Sequence, residues 1–405
     1  MKRFSRSACL AALLVLALSV SARVGESSIS AREALQYFKE VDAISRADGG
    51  RLWGVSLNGP LLLVDPETRI AYANQPDQQG RLQRAGEVLR GEIPTEINLA
   101  NTAFDWAGTK WSMVMLPLPE DRHVRATLLI HELWHRIQDK LGLPSADAQN
   151  AHLDSRDGRY WLQLEWRALA AALAASGSER NKAISDAVLF RERRRAIFAG
   201  SGGTENAMEM HEGLAEYTGV ALSGAPDPAK FVIDHELKDA PGKKTFVRSF
   251  AYASGPAYGL LLDATGQKWR ENLSPKTDLA ATLLHLSDLK LPDDVRAAAG
   301  ERSHFYGGES LAAQEDERET SRRKLIARYR ARLVDGPVLG IPLHQMQMQF
   351  DPGNLVPLDS LGTVYPNIRI VDDWGVLTVS DGDALLKADF SEITLPNDGE
   401  GWNSN

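Results

Sequence analysis

Three residues with the spacing of a metal site lie in the segment His131-Glu132-Leu133-Trp134-His135. Residues four apart on an α-helix share one face, so His131 and His135 can direct both imidazoles at a single ion. Glu132 falls beside them, where its carboxylate would face a water molecule that completes the coordination. The spacing therefore predicts a helix that carries two zinc ligands and a general base.

An open catalytic zinc site uses three protein ligands, and two His with one Glu is a known set. The segment 206–217 predicts a helix, with Asn206 as N-cap and Glu209 three residues on, as in a capping box. Glu212 and Glu216 lie four apart on that helix. We expect Glu212 to bind the metal and Glu216 to accept the free ring N–H of a zinc-bound histidine. A solvent-facing acidic stripe is the alternative for this pair.

His211 is a rival ligand, but on a helix it points about 100° away from Glu212 and is the weaker candidate. The two segments resemble the gluzincin class of metallopeptidases, in which HExxH on one helix is completed by the first Glu of an ExxxD/E motif on a later helix. The matching positions are His131, Glu132, His135, Glu212 and Glu216. Position 211 is His where the best-known members have Asn. Gln138 and Leu141 stand where a metzincin has Gly and its third His, which excludes that pattern.

The resemblance implies a zincin-like α+β fold, one Zn²⁺ per chain and hydrolysis of a peptide or protein substrate. In that chemistry zinc activates a water molecule, and Glu132 takes its proton and passes it to the leaving amine. Gluzincins commonly add a Tyr or His that donates to the oxyanion. Tyr258 and Tyr252 are the candidates for that donor, with packing between helices as the alternative for each. His235 and His304 are weaker candidates.

Two other functions use the same residues. An exported protein could keep the zincin shape without catalysis, as a binding or scaffold protein, although a structural site has no need of a general base such as Glu132. A zinc hydrolase of a non-peptide amide or ester would need the same ligands, and the sequence does not separate it from a peptidase. No motif indicates the cleavage specificity or the oligomeric state.

The N-terminal elements that must position these residues follow from the hydrophobic pattern. Residues 30–43 have helical spacing. Strands are predicted at 52–55, 61–64, 70–73 and 111–118. The turn sequence Asp65-Pro66-Glu67-Thr68 joins the second and third of these as a hairpin. We expect the strand 111–118 to form the sheet edge beside the cleft, where an extended peptide could add as a further strand; an internal strand is the alternative.

Helices dominate from Asp121 to about Val334. They are predicted at 124–141, 160–175, 181–198, 206–222, 254–263 and 309–333. Ser254 is expected to cap its helix, with Pro256 in the first turn. The basic run 191–195 is expected to be the solvated side of a helix. Beyond Gly336, short strands are predicted at 345–350, 368–371, 376–379 and 388–395.

The sequence opens with the features of a secretion signal. Lys2, Arg3 and Arg6 precede the apolar stretch 8–20, and Val20-Ser21-Ala22 offers small residues for cleavage. About 13 apolar residues are too few to cross about 30 Å of hydrocarbon. We therefore expect an exported protein, periplasmic or secreted, without a stable membrane anchor once the signal is removed.

Composition and pattern together suggest four parts. They are the signal peptide 1–22, an N-terminal α/β lobe 23–120 with the edge strand, a helical zinc-binding catalytic lobe 121–334 and a β-rich C-terminal domain 335–405. The only cysteine of the 405 residues is Cys9, so the mature chain would rely on ordinary cores rather than disulfides. A net charge of −8 with scattered basic residues argues against a nucleic-acid partner.

Overall fold

The computed structural model describes residues 27–97, 99–143, 145, 150–350, 354–380 and 382–397. The predicted signal peptide at 1–22, with Cys9, lies outside this part of the chain. None of the helices within it combines the length and the apolar character needed to span a membrane. Sheets are present at both ends of the described chain and helices between them, so the fold is α+β, as the sequence predicted at that coarse level.

Helix α1 (Ala31–Asp48) is bounded by capping structures at both ends. The Ser30 hydroxyl accepts from the Glu33 N–H, and the Glu33 carboxylate accepts from the Ser30 N–H at 2.8 Å. Gly49 ends the helix in the left-handed region, at φ 58°. The helix predicted over 30–43 is confirmed and continues to Asp48.

Six strands follow in a single sheet. They are β1 (Leu61–Val64), β2 (Ile70–Ala73), β3 (Gln83–Ala85), β4 (Val88–Glu92), β5 (Thr102–Trp106) and β6 (Thr109–Met115). Their order is β3-β4-β2-β1-β6-β5, with β1 antiparallel to β2 and parallel to β6. All four β1 side chains are buried, which fits an uninterrupted apolar run at the centre of a sheet.

The hairpin predicted around Asp65 is confirmed, because Asp65 Oδ1 accepts the N–H groups of Glu67 and Thr68 at 3.0 Å each. The strand predicted at 52–55 is wrong. That segment turns, and Gly54 has a φ of 73°, which a strand does not use. The strand predicted at 111–118 is β6, but it is internal rather than an edge. The chain enters β6 through a hairpin from β5, and this places β5 at the edge.

Ten helices follow in the described chain. They are α2 (Arg122–Ile137), α3 (Arg156–Ala174), α4 (Gly177–Ile197), α5 (Ser201–Met208), α6 (Leu214–Leu222), α7 (Pro228–Phe231), α8 (Phe250–Asp263), α9 (Leu279–Leu286), α10 (Val295–Ser303) and α11 (Gly308–Arg330). All six predicted helices are present with shifted ends, and α7, α9 and α10 were not predicted. A 3₁₀ turn (Gln138–Leu141) extends α2, and a π-helical turn (Glu209–Gly213) joins α5 to α6.

The combined α5–α6 segment begins earlier than predicted. It starts at Ser201, after Gly200 with a φ of 88°, and includes Gly202 and Gly203 in its first turn. Asn206 is therefore inside the helix, and the prediction that it is the N-cap is wrong. Glycines normally disfavour a helix by about 1 kcal/mol each, so the intrinsic propensity of these residues does not predict this first turn.

The basic run on α4 is not a solvated face, contrary to the prediction. Arg191 and Arg194 are fully buried. Arg191 donates to Glu165 at 2.8 Å and to both carboxylate oxygens of Glu209, while Arg194 donates to Glu165 at 2.6 Å and to Glu205 at 2.9 Å. A buried guanidinium is tolerated only with such partners. These carboxylates come from α3 and from the α5–α6 segment, so the pattern of α4 alone does not indicate the pairing.

Beyond Gly336 the chain forms strands, as the pattern predicted. They are β7 (Val338–Pro342), β8 (Gln347–Phe350), β9 (Val356–Pro357), β10 (Thr363–Tyr365), β11 (Ile368–Asp372), β12 (Gly375–Val379), β13 (Ala384–Leu386) and β14 (Glu392–Pro396). One sheet has the order β7-β14-β13-β10-β9 and the other β12-β11-β8. The division of the chain into separate domains stays a prediction.

Candidate metal centre

Helix α2 carries both histidines of the predicted site. Asp121 caps it by accepting the N–H groups of His123 and Val124. Its apolar side chains enter the core: Leu129, Ile130, Leu133, Trp134 and Ile137. His131 and His135 share the remaining face, and their Nε2 atoms lie 3.0 Å apart. The helix therefore brings two ligand atoms to one point, as the spacing predicts.

The π-helical turn between α5 and α6 supplies the third candidate ligand. Glu212 Oε2 lies 3.3 Å from His131 Nε2 and 3.5 Å from His135 Nε2. Close packing of α6 on α2 permits this approach. A Cβ added at Gly219 would lie 2.5 Å from the carbonyl oxygen of Thr127, so only glycine allows the two backbones to come this near.

The three ligand atoms have the spacing of a tetrahedral zinc site. Bonds of about 2.0 to 2.1 Å place tetrahedral ligand atoms about 3.3 to 3.4 Å apart. The observed separations of 3.0, 3.3 and 3.5 Å bracket that value. Two imidazole nitrogens and one carboxylate oxygen are also a donor set of catalytic zinc, which keeps its fourth position for water. His131, His135 and Glu212 can therefore hold this metal.

Hydrogen bonds orient both histidines. Glu216 Oε2 lies 2.7 Å from His131 Nδ1, and Gln138 Oε1 lies 3.0 Å from His135 Nδ1. With each Nδ1–H donating, each Nε2 keeps its lone pair for the common point between the ligands. Glu216 was expected to accept the ring N–H of a ligand histidine, and it lies against the candidate ligand His131. Gln138 was not predicted, although it lies three residues after His135 in the 3₁₀ turn.

The charges of these groups favour a cation between them. Burial acts to lower the pKa of His131, but its hydrogen bonds with Glu212 and Glu216 outweigh burial and raise that pKa to about 10. Burial likewise acts to raise the pKa of Glu212, yet its hydrogen bonds with His131 and His135 hold it well below its ordinary range. The surroundings thus stabilise positive charge at the point where a metal ion can replace the proton.

Glu132 is buried beside the ligands. Its Oε2 has no hydrogen-bond partner among the residues that the structure describes, and burial raises the pKa of its carboxyl group. A buried carboxylate oxygen without a partner is costly and uncommon, whereas a raised pKa suits a group that must accept a proton. The Ser112 hydroxyl donates to the Glu132 carbonyl oxygen at 2.9 Å, which ties α2 to β6 at this residue.

Two side chains reach Glu212, one from the turn before α8 and one from the first turn of α8. The Tyr252 hydroxyl donates to Glu212 Oε2 at 2.7 Å, and its ring stacks on His131 with centroids 5.3 Å apart. Arg248 donates to Glu212 Oε1 at 3.0 Å. Tyr252, one of the two predicted tyrosines, therefore lies beside the candidate metal ligands. Arg248 was not predicted; it lies in the turn before α8, outside any helical periodicity that could have placed it beside Glu212.

The prediction for Tyr258 is wrong. Helix α8 begins at Phe250, so Tyr258 and Tyr252 project from different sides of it. Tyr258 is fully buried and donates to Glu165 Oε1 at 2.8 Å, within the ion-pair network of α4. It does not line the metal pocket. Tyr258 therefore packs between helices, which is the alternative that the sequence left open for each tyrosine.

Ser254 and Glu209 also differ from their predicted capping roles. Ser254 lies inside α8 and donates to Glu209 Oε1 at 2.6 Å, and Pro256 lies in the helix interior. Glu209 faces Arg191 instead of completing a capping box with Asn206. A Cβ added at Gly255 would lie 2.2 Å from Gly213 Cα, so α8 rests directly on the turn that carries Glu212.

The other histidines do not complete the ligand set. His211 lies close by, with Nδ1 3.1 Å from Gln138 Oε1, but it is outside the group of converging ligand atoms. Burial lowers the pKa of His211 to about 4, which keeps it neutral at pH 7. His235 and His304 are exposed and do not line the pocket.

Glu236 lies near Glu216, the carboxylate behind His131, and was not predicted. It lies in a second π-helical turn, Val232–Leu237. Burial, together with the neighbouring charge and hydrogen bond of Glu216, raises the pKa of Glu236 to about 9. Glu236 is thus a neighbour of the carboxylate that orients His131.

The candidate ligands open into a pocket of about 260 Å³. Thr102 and Ala103 of β5 line it, so the sheet edge adjoins the candidate metal site. Lys110 and Asp139 lie at its rim as an ion pair with 3.0 Å between Nζ and Oδ2.

Comparisons with known protein families, curated proteins and solved structures find no match for this chain.

Proposed function

We propose that this protein is a zinc-dependent peptidase of the gluzincin type, exported to the periplasm or secreted. His131, His135 and Glu212 would bind one Zn²⁺. The observation that carries the proposal is the triangle of ligand atoms beside Glu132, whose Oε2 is buried without a described partner. A binding or scaffold protein gains nothing from such a carboxylate, which costs stability, so the arrangement favours catalysis.

The residues of the site divide the reaction between them. When bound, zinc supplies a Lewis acid that polarises the substrate carbonyl and lowers the pKa of water. Glu132 accepts the proton of the attacking water as the new C–O bond forms, and returns it to the leaving nitrogen as the C–N bond breaks. Glu132 is then ionised again, ready for another cycle. Its raised pKa suits both transfers.

Tyr252 is the candidate donor to the oxyanion. It is the only tyrosine among the described residues that line the pocket. Its hydroxyl donates to Glu212 Oε2, the oxygen that completes the ligand triangle. When that oxygen binds a cation, the hydroxyl can turn to the developing negative charge on the substrate.

The edge strand β5 supports a peptide as the substrate. Thr102 and Ala103 line the pocket, and the outer side of β5 pairs with no other strand in the described sheet. An extended peptide could add there through main-chain hydrogen bonds, which demand little of its sequence. The role expected for 111–118 thus passes to β5.

The test is metal analysis combined with Glu132→Gln. We expect one zinc per chain in both proteins, and a loss of casein hydrolysis by a factor of about 10² to 10⁴ in the variant, because a general base contributes that much. Glu309→Gln, the same exchange on the exposed side of α11, is the control and should keep full activity. Equal activity of parent and Glu132→Gln contradicts the mechanism, and a parent without zinc contradicts the site.

A matched set of substrates tests the peptide specificity. A peptide, a non-peptide amide and an ester with the same acyl group should be compared under identical conditions. We expect the peptide to have the highest kcat/KM, because only it extends along β5. A higher value for either of the others would favour a non-peptide hydrolase.

A further inference from the structure

A second groove, outside the metal pocket, lies between the N-terminal sheet and the C-terminal strands. Its volume is about 550 Å³. The loops before β2 and β5, with Met115 at the end of β6, form one wall, and β8 with β11 forms the other. Neither end of the chain makes this groove alone. The long apolar side chains that line it are Ile97, Leu99, Met115, Met348, Phe350 and Val371.

The second groove adjoins the metal pocket. Asn101 lines the metal pocket, and its Oδ1 accepts the Met115 N–H at 2.8 Å. Met115 lines the second groove, as does Leu99, which lies two residues before Asn101. Two residues of chain span at most about 7 Å. A single extended ligand can therefore reach both cavities.

The edge strand β5 connects the two cavities. Its first residues, Thr102 and Ala103, line the metal pocket, and the chain that leads into β5 passes the second groove at Ile97 and Leu99. A peptide that pairs with the outer side of β5 and places its cleaved bond at the metal would extend past the start of β5 toward the groove. Leu99 is three residues before Thr102, a span of at most about 10 Å. The groove is thus within reach of a side chain about three residues from the cleaved bond.

The charge of the second groove is positive. Among the described residues that line it, Arg69 and Arg369 are charged and none is acidic. Arg69 donates to three main-chain carbonyl oxygens between residues 93 and 97, which are neutral partners and leave its charge uncancelled. Arg369 is exposed on β11 and shares the outer face of that strand with Val371. An acidic group is therefore the complementary partner for this wall.

We propose that the second groove binds a segment of the substrate that carries an apolar side chain next to an acidic one, about three residues from the cleaved bond. This inference rests on the proposed peptidase function. Adjacent residues of an extended chain point to opposite sides. The apolar side chain packs against Leu99 and Met115 on the N-terminal wall, and the acidic one pairs with Arg369 on the C-terminal wall. The C-terminal strands thereby help to select the substrate.

The experiment measures binding by Glu132→Gln in the presence of zinc, so that the peptides are not cut. The probes are blocked eight-residue peptides of alternating Ser and Ala, with the pair Leu-Asp, Ser-Asp or Leu-Lys at one end or the other. In calorimetric titration Leu-Asp should bind at least about tenfold more tightly than Ser-Asp, because burial of a leucine side chain favours binding by that factor. It should also exceed Leu-Lys about tenfold, because Lys would be repelled. Since the cleft fixes the direction of the chain, only one placement should show these preferences.

Arg369→Glu and Arg330→Glu separate contact in the groove from net charge. Both arginines are exposed and both changes alter the net charge equally, but Arg330 lies on α11 and does not line the groove. In the Glu132→Gln background, Arg369→Glu should abolish the preference for Asp over Lys and keep that for Leu over Ser, which also shows that the variant is folded. Arg330→Glu should keep both. Equal binding of all probes, the same preferences at both ends, or an unchanged preference for Asp in Arg369→Glu overturns the inference.

Binding and hydrolysis report separately on the two proposals. If the preferences are found and the parent protein does not cut the Leu-Asp peptide or casein, the peptidase is refuted and the groove remains a peptide-binding site. Zinc-dependent hydrolysis of casein without any preference among the probes refutes the groove and leaves the peptidase.

Discussion

Replacing Glu216 with Gln removes one negative charge behind His131 while keeping the size of the side chain. The bond between Glu216 Oε2 and His131 Nδ1 is 2.7 Å long and buried. A hydrogen bond to a charged partner contributes about 1.5 to 3 kcal/mol, and such partners of metal ligands change affinity by about 10 to 100-fold. We therefore expect the Kd for zinc to rise about 10 to 100-fold in Glu216→Gln.

Gln138→Leu provides the matched comparison on the second histidine. Gln138 accepts from His135 Nδ1 at 3.0 Å as a neutral group, and neutral hydrogen bonds contribute about 0.5 to 1.5 kcal/mol. Its zinc Kd should rise about 2 to 10-fold, less than in Glu216→Gln. The assay is competition with a chromophoric chelator at pH 7.5, with the circular dichroism spectrum as control for folding.

The pH dependence gives a second readout of the same bond. The pKa of His131 is raised to about 10, so the metal-free protein carries a proton there at pH 7 that zinc must displace. Zinc affinity should therefore rise about tenfold per pH unit from pH 7 to 9 on account of this group, and fall as protons compete at lower pH. Without the charge of Glu216 the pKa of His131 falls, and the dependence should flatten. An unchanged Kd and an unchanged slope in Glu216→Gln would refute the role assigned to Glu216.

Two other outcomes follow from the positions of the tyrosines and of the buried arginines. Tyr252→Phe should lower kcat by a factor of about 10² to 10³ with zinc retained. Tyr258→Phe should keep kcat and lose about 1 to 3 kcal/mol of unfolding free energy. Equal kcat values in the two variants would contradict the assignment of Tyr252 as the oxyanion donor. Arg191→Met leaves Glu165 and Glu209 short of a buried partner and should cost about 3 to 5 kcal/mol in urea unfolding, and a loss below about 1 kcal/mol would show that the network is not stabilising.

The local part of the site could be predicted because it depends on helical periodicity. A spacing of four places His131 with His135 and Glu212 with Glu216, whatever else the chain does. The structure brings the first three of these together and sets Glu216 against His131. The pattern of apolar residues along the chain likewise predicted β1, β2 and most helices.

The features that depend on packing between distant segments could not be predicted. Arg191 looks solvated in its own helix, because Glu165 and Glu209 that neutralise it lie on other helices. Tyr252 and Tyr258 are equivalent in sequence, and only the rotation of α8 decides which one reaches Glu212. Whether a strand lies at the edge of a sheet depends on the order of all its strands. The segment predicted as the edge is β6, but β5 pairs outside it and forms the edge instead.

The π-helical turn Glu209–Gly213 has one residue more than an α-helical turn. In a regular α-helix, residues seven apart lie within about 20° of one line, so Glu209 and Glu216 would face the same way. The extra residue turns them apart by about 100°, and one faces Arg191 while the other faces His131. In genetic terms, deletion of the single codon for Met210 or His211 would rotate Glu209 relative to Glu216 by about 100°, while every residue of the two motifs stayed in the gene. A search of the encoded sequence for the residues of the two motifs alone would not detect this deletion.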